Sequence, residues 1–281
     1  MKIRVLGTRG SLPITKPETK HYGGNTSCIE VIQDDQLLIL DAGTGILRLS
    51  KAIIAKQSEF NILLTHLHID HIQGLGFFKP LFNASNEVHI WGPSSSSKSL
   101  RDRLNRYLSP PLFPVHYRDI PCKIHLHEIS HSSFNIGKFH IESNYICHPG
   151  PTVGFRISNG NSVFTYLPDH EHILGVQGWD IDKKWISGIE LAEKADLLIH
   201  DSQYTDKEYE DKIGWGHCTF ENAVSFAERA NVKKLLLFHH DPDHTDKRLE
   251  EIYKHLLNQH KINEIELPVE LAVEGKSFDL G

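Results

Sequence analysis

Seven consecutive residues, Thr65-His66-Leu67-His68-Ile69-Asp70-His71, concentrate the groups most able to do chemistry. They follow the apolar run Ile62-Leu63-Leu64, which reads as a buried strand. The chain thus leaves its core and at once presents three histidines and an aspartate. Imidazole nitrogen and carboxylate oxygen are the donors that divalent zinc, iron or manganese prefer. His66 and His68 lie two apart, so an extended backbone aims both side chains the same way. Asp70 and His71 are adjacent and splay apart where the chain turns, which lets them serve a second ion. An ion needs only three or four protein donors, so these residues with a few recruits suffice for two metals. The chain has 20 histidines among 281 residues, and chance neighbours must be allowed for. A strand ending in HxHxDH is nevertheless far more specific than a lone pair.

Recruits are at hand. His148, Asp169 and His239 each sit just beyond an apolar strand, as the first motif does. In layered α/β folds, sites gather at strand ends. Any one of the three alone would more often be structural; together with HxHxDH they favour ligation.

The elements that must position these residues follow from local pattern. Residues 2–6 read as a strand, followed by a turn-rich loop, Gly7-Thr8-Arg9-Gly10-Ser11-Leu12-Pro13. Residues 28–32 and 37–40 pair as a hairpin around Asp34-Asp35. The glycines of these loops serve either turn chemistry or a substrate lining. Asp41 follows a strand and either caps a helix over 46–56 or orients the metal region with its carboxylate. Helices are expected over 72–82, 94–108, 183–194, 220–230 and 245–260, with strands over 87–91, 196–200 and 233–238. Short strands fill 122–166, a proline-rich loop spans 109–114, and the tail closes as a hairpin. Strands come first and alternate with helices later, which suits a layered α/β architecture in one domain over 1–281.

Composition narrows the class. Apolar content is 39% and charged content 23%, ordinary for a soluble globular protein. The formal net charge of -6 argues against a surface built to grip long nucleic acid. A small anionic substrate remains compatible, because bound ions supply local positive charge. Cys28, Cys122, Cys147 and Cys218 form no CxxC pair, and the N-terminus lacks a signal-peptide apolar region. No apolar run reaches membrane-span length. A cytoplasmic protein with reduced thiols is expected.

HxHxDH followed by a lone His, a lone Asp and a late His resembles the ligand order of metallo-β-lactamase-fold hydrolases. Within these, the chain looks like the ribonuclease Z-like phosphodiesterases. Residues 195–202 (ADLLIHDS), Gly216-His217-Cys218-Thr219 with the helix after it, and Leu237-Phe238-His239 carry that likeness. YGGNTSC (22–28), LDAGTG (40–45), PDHE (168–171) and FHHDPDH (238–244) look like a bacterial subgroup associated with cyclic-nucleotide phosphodiesterase activity. The resemblance implies an αββα sandwich, two mixed sheets with helices outside. It also implies that His66, His68 and His148 hold one divalent ion, that Asp70, His71 and His239 hold a second, and that Asp169 bridges. Zinc or manganese is expected. His239 and His240 are adjacent, and the register of the likeness selects His239.

The activity so implied is hydrolysis of a 3′,5′-cyclic nucleotide to the 5′-monophosphate by a metal-bridging hydroxide, with Asp70 among the catalytic groups. His217 is the candidate general acid or phosphate contact; its structural alternative is a helix-capping or core histidine. His170, Glu171, His172, His240 and His244 lie beside the ligand motifs without an assigned role. The first alternative is a tRNA 3′-end endonuclease. Two departures weigh against it: no Gly/Pro-rich basic insert is evident, and Asp201 stands where that group carries glutamate. A non-catalytic metal-binding sensor is the alternative from another class. The expected partners are a small anionic nucleotide and a second copy in a homodimer, with no long nucleic acid and no membrane.

Overall fold

Ile3 and Val5, Ile29 and Val31, and Leu38 and Leu40 alternate along successive strands, and all six are fully buried. A period of two sends such residues to one face of a sheet, here against a second sheet. The computed structural model describes residues 1–172, 179, 181–262 and 266–281. The first half contains β1 (Lys2–Gly7), β2 (Cys28–Gln33), β3 (Gln36–Leu40), α1 (Lys51–Ile54), β4 (Glu59–Leu63), α2 (Ile69–Ile72), β5 (Glu87–Pro93), α3 (Leu100–Tyr107) and β6 (Lys123–Ile129). The second contains β7 (Ser132–Ile136), β8 (Phe139–Tyr145), β9 (Val153–Ser158), β10 (Val163–Leu167), α4 (Ile189–Ala192), β11 (Leu197–Asp201), α5 (Asp206–Tyr209), α6 (Phe220–Arg229), β12 (Leu235–Phe238), α7 (Asp246–Ile262), β13 (Val269–Leu271) and β14 (Ser277–Asp279).

Two seven-stranded sheets result, in the orders β14-β1-β2-β3-β4-β5-β6 and β13-β12-β11-β10-β9-β8-β7. Both are mixed: β3 to β6 run parallel, as do β10 to β13, beside antiparallel strands. Ile3, Leu40 and Leu63 of one sheet meet Phe155, Tyr166 and Phe238 of the other in the core between them. A second cluster covers the outer face of the first sheet with Leu100 and Leu104 of α3. A third covers the second sheet with α4, α6 and α7. This is the αββα layering that the resemblance implied. α6 illustrates the cause: Thr219 caps it by accepting from Asn222 N at 3.1 Å, and Phe220, Ala223, Val224 and Ala227 place an apolar stripe on the sheet. The parallel strands β3, β4, β10, β11 and β12 all deliver their C-terminal ends to one end of the sandwich.

Four expected helices are shorter. Residues 46–56 divide into a 3-10 turn (Thr44–Arg48) and α1, because Leu49 and Ser50 are extended and Ser50 starts a new helix. Residues 72–82 continue beyond α2 as two 3-10 turns, Leu75–Phe77 and Lys79–Phe82, separated at Phe78, whose backbone is extended. Residues 183–194 are cut by Gly188, whose φ of 68° is left-handed. The 94–108 helix starts at Leu100, where Ser99 caps it. The tail is not a hairpin: β13 extends the second sheet and β14 the first. No helix among the described residues is long and apolar enough to cross a membrane.

Candidate metal centre

β4 ends at Leu63, and the chain then turns through Thr65–His68 into the single turn of α2. β3 ends at Leu40, just before Asp41, β10 precedes Asp169, and β12 precedes His239. Asp41 and His239 have φ of 56° and 63°, a left-handed geometry uncommon outside glycine. Each sharp turn swings its side chain back over the strand ends.

The donors fall into two groups that share one carboxylate, His66/His68/His148/Asp169 and Asp70/His71/Asp169/His239. Asp169 Oδ2 lies 3.7 Å from both His66 Nε2 and His148 Nε2. Its Oδ1 lies 2.9 Å from His71 Nε2 and 3.2 Å from His239 Nε2. Asp70 Oδ2 completes the second group at 3.4 Å from His71 Nε2 and 3.2 Å from His239 Nε2. The structure thus brings together all seven residues singled out in the sequence, in the grouping the resemblance implied. His240 points elsewhere, its Nε2 donating to Ala272 O at 2.9 Å.

Outer partners fix which nitrogen of each ring is free. A carboxylate only accepts, so His71 Nδ1, 2.8 Å from Asp41 Oδ2, carries the proton. His148 Nδ1 donates to Gly216 O at 2.8 Å and His239 Nδ1 to Gln203 Oε1 at 3.0 Å. Thr65 Oγ1, 3.0 Å from both Asp41 oxygens, donates to that carboxylate and accepts from His66 Nδ1 at 3.0 Å. Four Nε2 lone pairs therefore face inward, as in metal sites whose histidines are held from behind. Asp41 takes the orienting role rather than the capping one. Ser11 N donates to Asp70 Oδ2 at 2.8 Å, so the first glycine loop also holds a donor. Gly10 has to be glycine there: a Cβ would lie 2.5 Å from the His239 ring.

The chemistry of this set fits divalent cations. His66 Nε2, His71 Nε2 and Asp169 Oδ1 are buried without a hydrogen-bond partner. His68 Nδ1 and His148 Nε2 sit 3.1 Å apart, and two facing lone pairs repel unless a cation or proton lies between them. Burial pushes the His71 imidazole down, but Asp169, Asp70 and Asp41 outweigh it and raise it well above its ordinary value. Burial would likewise raise the Asp169 carboxyl, yet His239, His71 and His66 hold it well below the carboxylate range. The cluster is thus built around positive charge.

His217 stands over both groups, its ring 4.9 Å from His239 and 5.1 Å from His148. Its Nδ1 donates to Asp201 Oδ2 at 2.6 Å, leaving Nε2 as the free nitrogen. Burial opposes its charge, but Asp201, then Asp169 and Asp70, lift it to about 9. Thr219, not His217, caps α6. Sequence reasoning missed Gln203 and left Glu171 unassigned. Glu171 accepts from Gly214 N at 2.9 Å, Gly216 N at 2.8 Å and the Tyr209 hydroxyl, and so pins the loop whose Gly216 carbonyl orients His148. Both residues lie within a few positions of a donor or an apolar strand end, which is the signal that was available. His170 bonds His200 at 2.9 Å and His244 bonds Glu208 at 3.1 Å, away from the cluster, while His172 stacks on Trp179.

The model of the beta-lactamase superfamily domain matches residues 38–240. The chain belongs to that superfamily. A ribonuclease Z of Thermococcus gammatolerans is 26% identical over 272 residues, covering 85% of this chain and 83% of its own. Among solved structures, the metallo-β-lactamase fold protein YhfI from Bacillus subtilis has a TM-score of 0.71 at 21% identity, covering 99% of this chain and 98% of its own. Human tRNase Z, short form, has a TM-score of 0.67 at 20% identity, with 100% of both chains covered. The superfamily member is a metal-dependent hydrolase with a ribonuclease Z-like affinity, and its His/Asp clusters suit a dinuclear divalent centre.

One expectation is overturned. The absence of a long nucleic-acid partner does not stand against relatives named ribonuclease Z and a neighbour named tRNase Z. Net charge misled because it averages the whole surface, whereas contact with a polyanion depends on local charge. Arg103 and Arg106 line the cavity beside His66 and His68 despite the overall balance of -6.

Proposed function

We propose that this protein is a dinuclear-metal phosphodiesterase that cuts RNA, in the manner of a tRNA 3′-end endonuclease. The observation that carries it is that the donor cluster lies between two cavities. One, of about 330 Å³, is lined by His66, His68, Arg103, Arg106, Tyr107 and Leu112. The other, of about 630 Å³, is lined by Ser11, Gln203, Lys212, Trp215, His217 and Arg248. A polymer needs room on both sides of its scissile phosphate; a cyclic nucleotide needs room on one. The first cavity offers guanidinium groups to a phosphate. The second carries Glu208, Asp241 and Asp243 beside its cations, which suits ribose hydroxyls, and Trp215 is exposed for a base to stack on.

His66, His68, His148 and Asp169 would hold one ion, and Asp70, His71, His239 and Asp169 the other. Zinc or manganese suits this nitrogen and oxygen set. When bound, the ions supply an activated water and neutralise charge on the phosphate. His217 then acts from its Nε2: Asp201 fixes its Nδ1 proton, and Nε2–H passes a proton to the departing sugar oxygen. The ions' own positive charge counteracts the carboxylates that raise His217 and makes that proton easier to release.

The 330 Å³ cavity taken alone also accommodates a single nucleotide, which keeps 3′,5′-cyclic nucleotides as a second reading. The relatives named ribonuclease Z favour the RNA reading. Metal-loaded protein is incubated with a precursor tRNA bearing a 3′ extension and, separately, with cyclic nucleotides. Release of the extension supports the proposal. An intact precursor beside hydrolysed cyclic nucleotide would refute it.

A further inference from the structure

At the opposite end of the first sheet, a second group of donors lies outside the centre described above. β4, β5 and β6 are parallel and in register, with Glu59 beside Glu87 and Asn61 beside His89 beside His125. Side chains two apart on a strand share a face, so Glu59, Glu87, His89, His125 and His127 all project from one side. Donor atoms of Glu87, His89 and His125 lie within 4.8 Å of one another. His125 Nε2 is 3.0 Å from Glu87 Oε2, and His89 Nε2 is 3.9 Å from Glu59 Oε1.

We infer that Glu87, His89 and His125 form a further divalent-metal site, with Glu59 as a fourth donor, that ties three adjacent strands together. Two imidazoles and carboxylate oxygen make a set that zinc accepts in tetrahedral geometry. The site is held from behind, as metal sites are. His89 Nδ1 bonds His127 Nε2 at 3.0 Å, which leaves His89 Nε2 to face the carboxylates. His127 is itself fixed, its ring stacked 3.9 Å from Trp91, which stacks 4.5 Å from Phe134. The donors are half-buried: the His89 and His125 side chains are 21% and 32% exposed, so an ion has an open approach.

Lys123 Nζ occupies the carboxylate of Glu87 at 3.1 and 3.2 Å. Its side chain is 63% exposed and can swing into solvent when a divalent ion replaces it. The His89 and His125 rings are stacked 4.4 Å apart at 12°, and binding turns the His125 ring about its Cβ–Cγ bond so that its nitrogen converges with that of His89, which stays on His127. Asn61, level with these histidines, is five residues before His66, a separation of roughly 17 Å along an extended strand. The site is therefore too far away to supply ligands to the hydrolytic centre, and its effect is on the stability of this sheet edge.

The test counts zinc in untagged full-length protein dialysed against a series of free-zinc concentrations. The double variant His89→Asn/His125→Asn is expected to bind one zinc fewer per chain than the parent, with its hydrolytic rate unchanged. Glu87→Gln provides an independent variant should the double substitution impair folding. His127→Phe weakens binding at this site about 10- to 100-fold by removing the group that orients His89. Equal zinc content in the parent, the double variant and Glu87→Gln at every concentration would overturn the inference and leave the cluster as a stacked aromatic face.

Discussion

Asp41→Asn isolates the orienting shell from the donors themselves. The Asp41 carboxylate is fully buried and accepts from Thr65 N at 2.8 Å on Oδ1, and from His71 Nδ1 at 2.8 Å on Oδ2. An asparagine amide has one accepting oxygen and one donating nitrogen. Facing its oxygen to Thr65 N turns its NH2 toward the His71 Nδ1 proton, donor against donor. His71 can escape only by moving its proton to Nε2, where an ion needs the lone pair. Facing the amide the other way leaves the Thr65 N–H without an acceptor and loosens the turn that carries His66. Asparagine tolerates the φ of 56° at this position, so the backbone need not move. Loss of such an orienting group costs about 10- to 100-fold in metal affinity, or ~1.4–2.8 kcal/mol. Equilibrium dialysis against zinc should show one ion weakened by that factor while the His66/His68/His148 ion is retained. The rate should recover at saturating zinc. Two ions bound as tightly as in the parent would refute the orienting role, as would a lost rate that excess metal does not restore.

Three further outcomes are expected. Asp169→Ala removes the carboxylate that faces both groups and should abolish binding of both ions together, read as metal content per chain, whereas His68→Ala should weaken one. His217→Asn should lower kcat about 10²- to 10⁴-fold with metal content unchanged, the signature of a proton-transfer group rather than a ligand. Burial, then the Arg9 charge, pushes the His240 pKa from its ordinary 6.5 down to about 3, so between those values only the unfolded chain takes up this proton. Stability should therefore be full above about pH 6.5 and fall by ~1.4 kcal/mol per pH unit as acid is added toward pH 3; denaturant titrations of His240→Gln should lack this increment.

Much of the centre was legible because its signals are local. The spacing of His66 and His68 follows from strand alternation, and a donor just past an apolar run is visible for Asp169 and His239 without any knowledge of the fold. The layering was equally legible, since Ile3/Val5 and Ile29/Val31 alternate while α6 repeats at helical spacing. Helix lengths were not. They depended on Leu49, Ser50, Phe78 and Gly188, where backbone conformation overrides an apolar pattern. The partner was misjudged because a sum of charges says nothing about where Arg103 and Arg106 sit.

Sequence by itself determined which chemistry this chain can perform: the donor types, their order and the strand that precedes each are written in it. Tertiary structure decided how those donors are shared. Asp169 is one carboxylate in the sequence; only the meeting of β4, β10 and β12 at one end of the sandwich turns its two oxygens to two different groups. The same applies to Asp41, whose capping and orienting roles are equal in sequence. The parallel pairing of β3 with β4 places it behind Thr65 and His71, and contact across strands is a property no local pattern encodes.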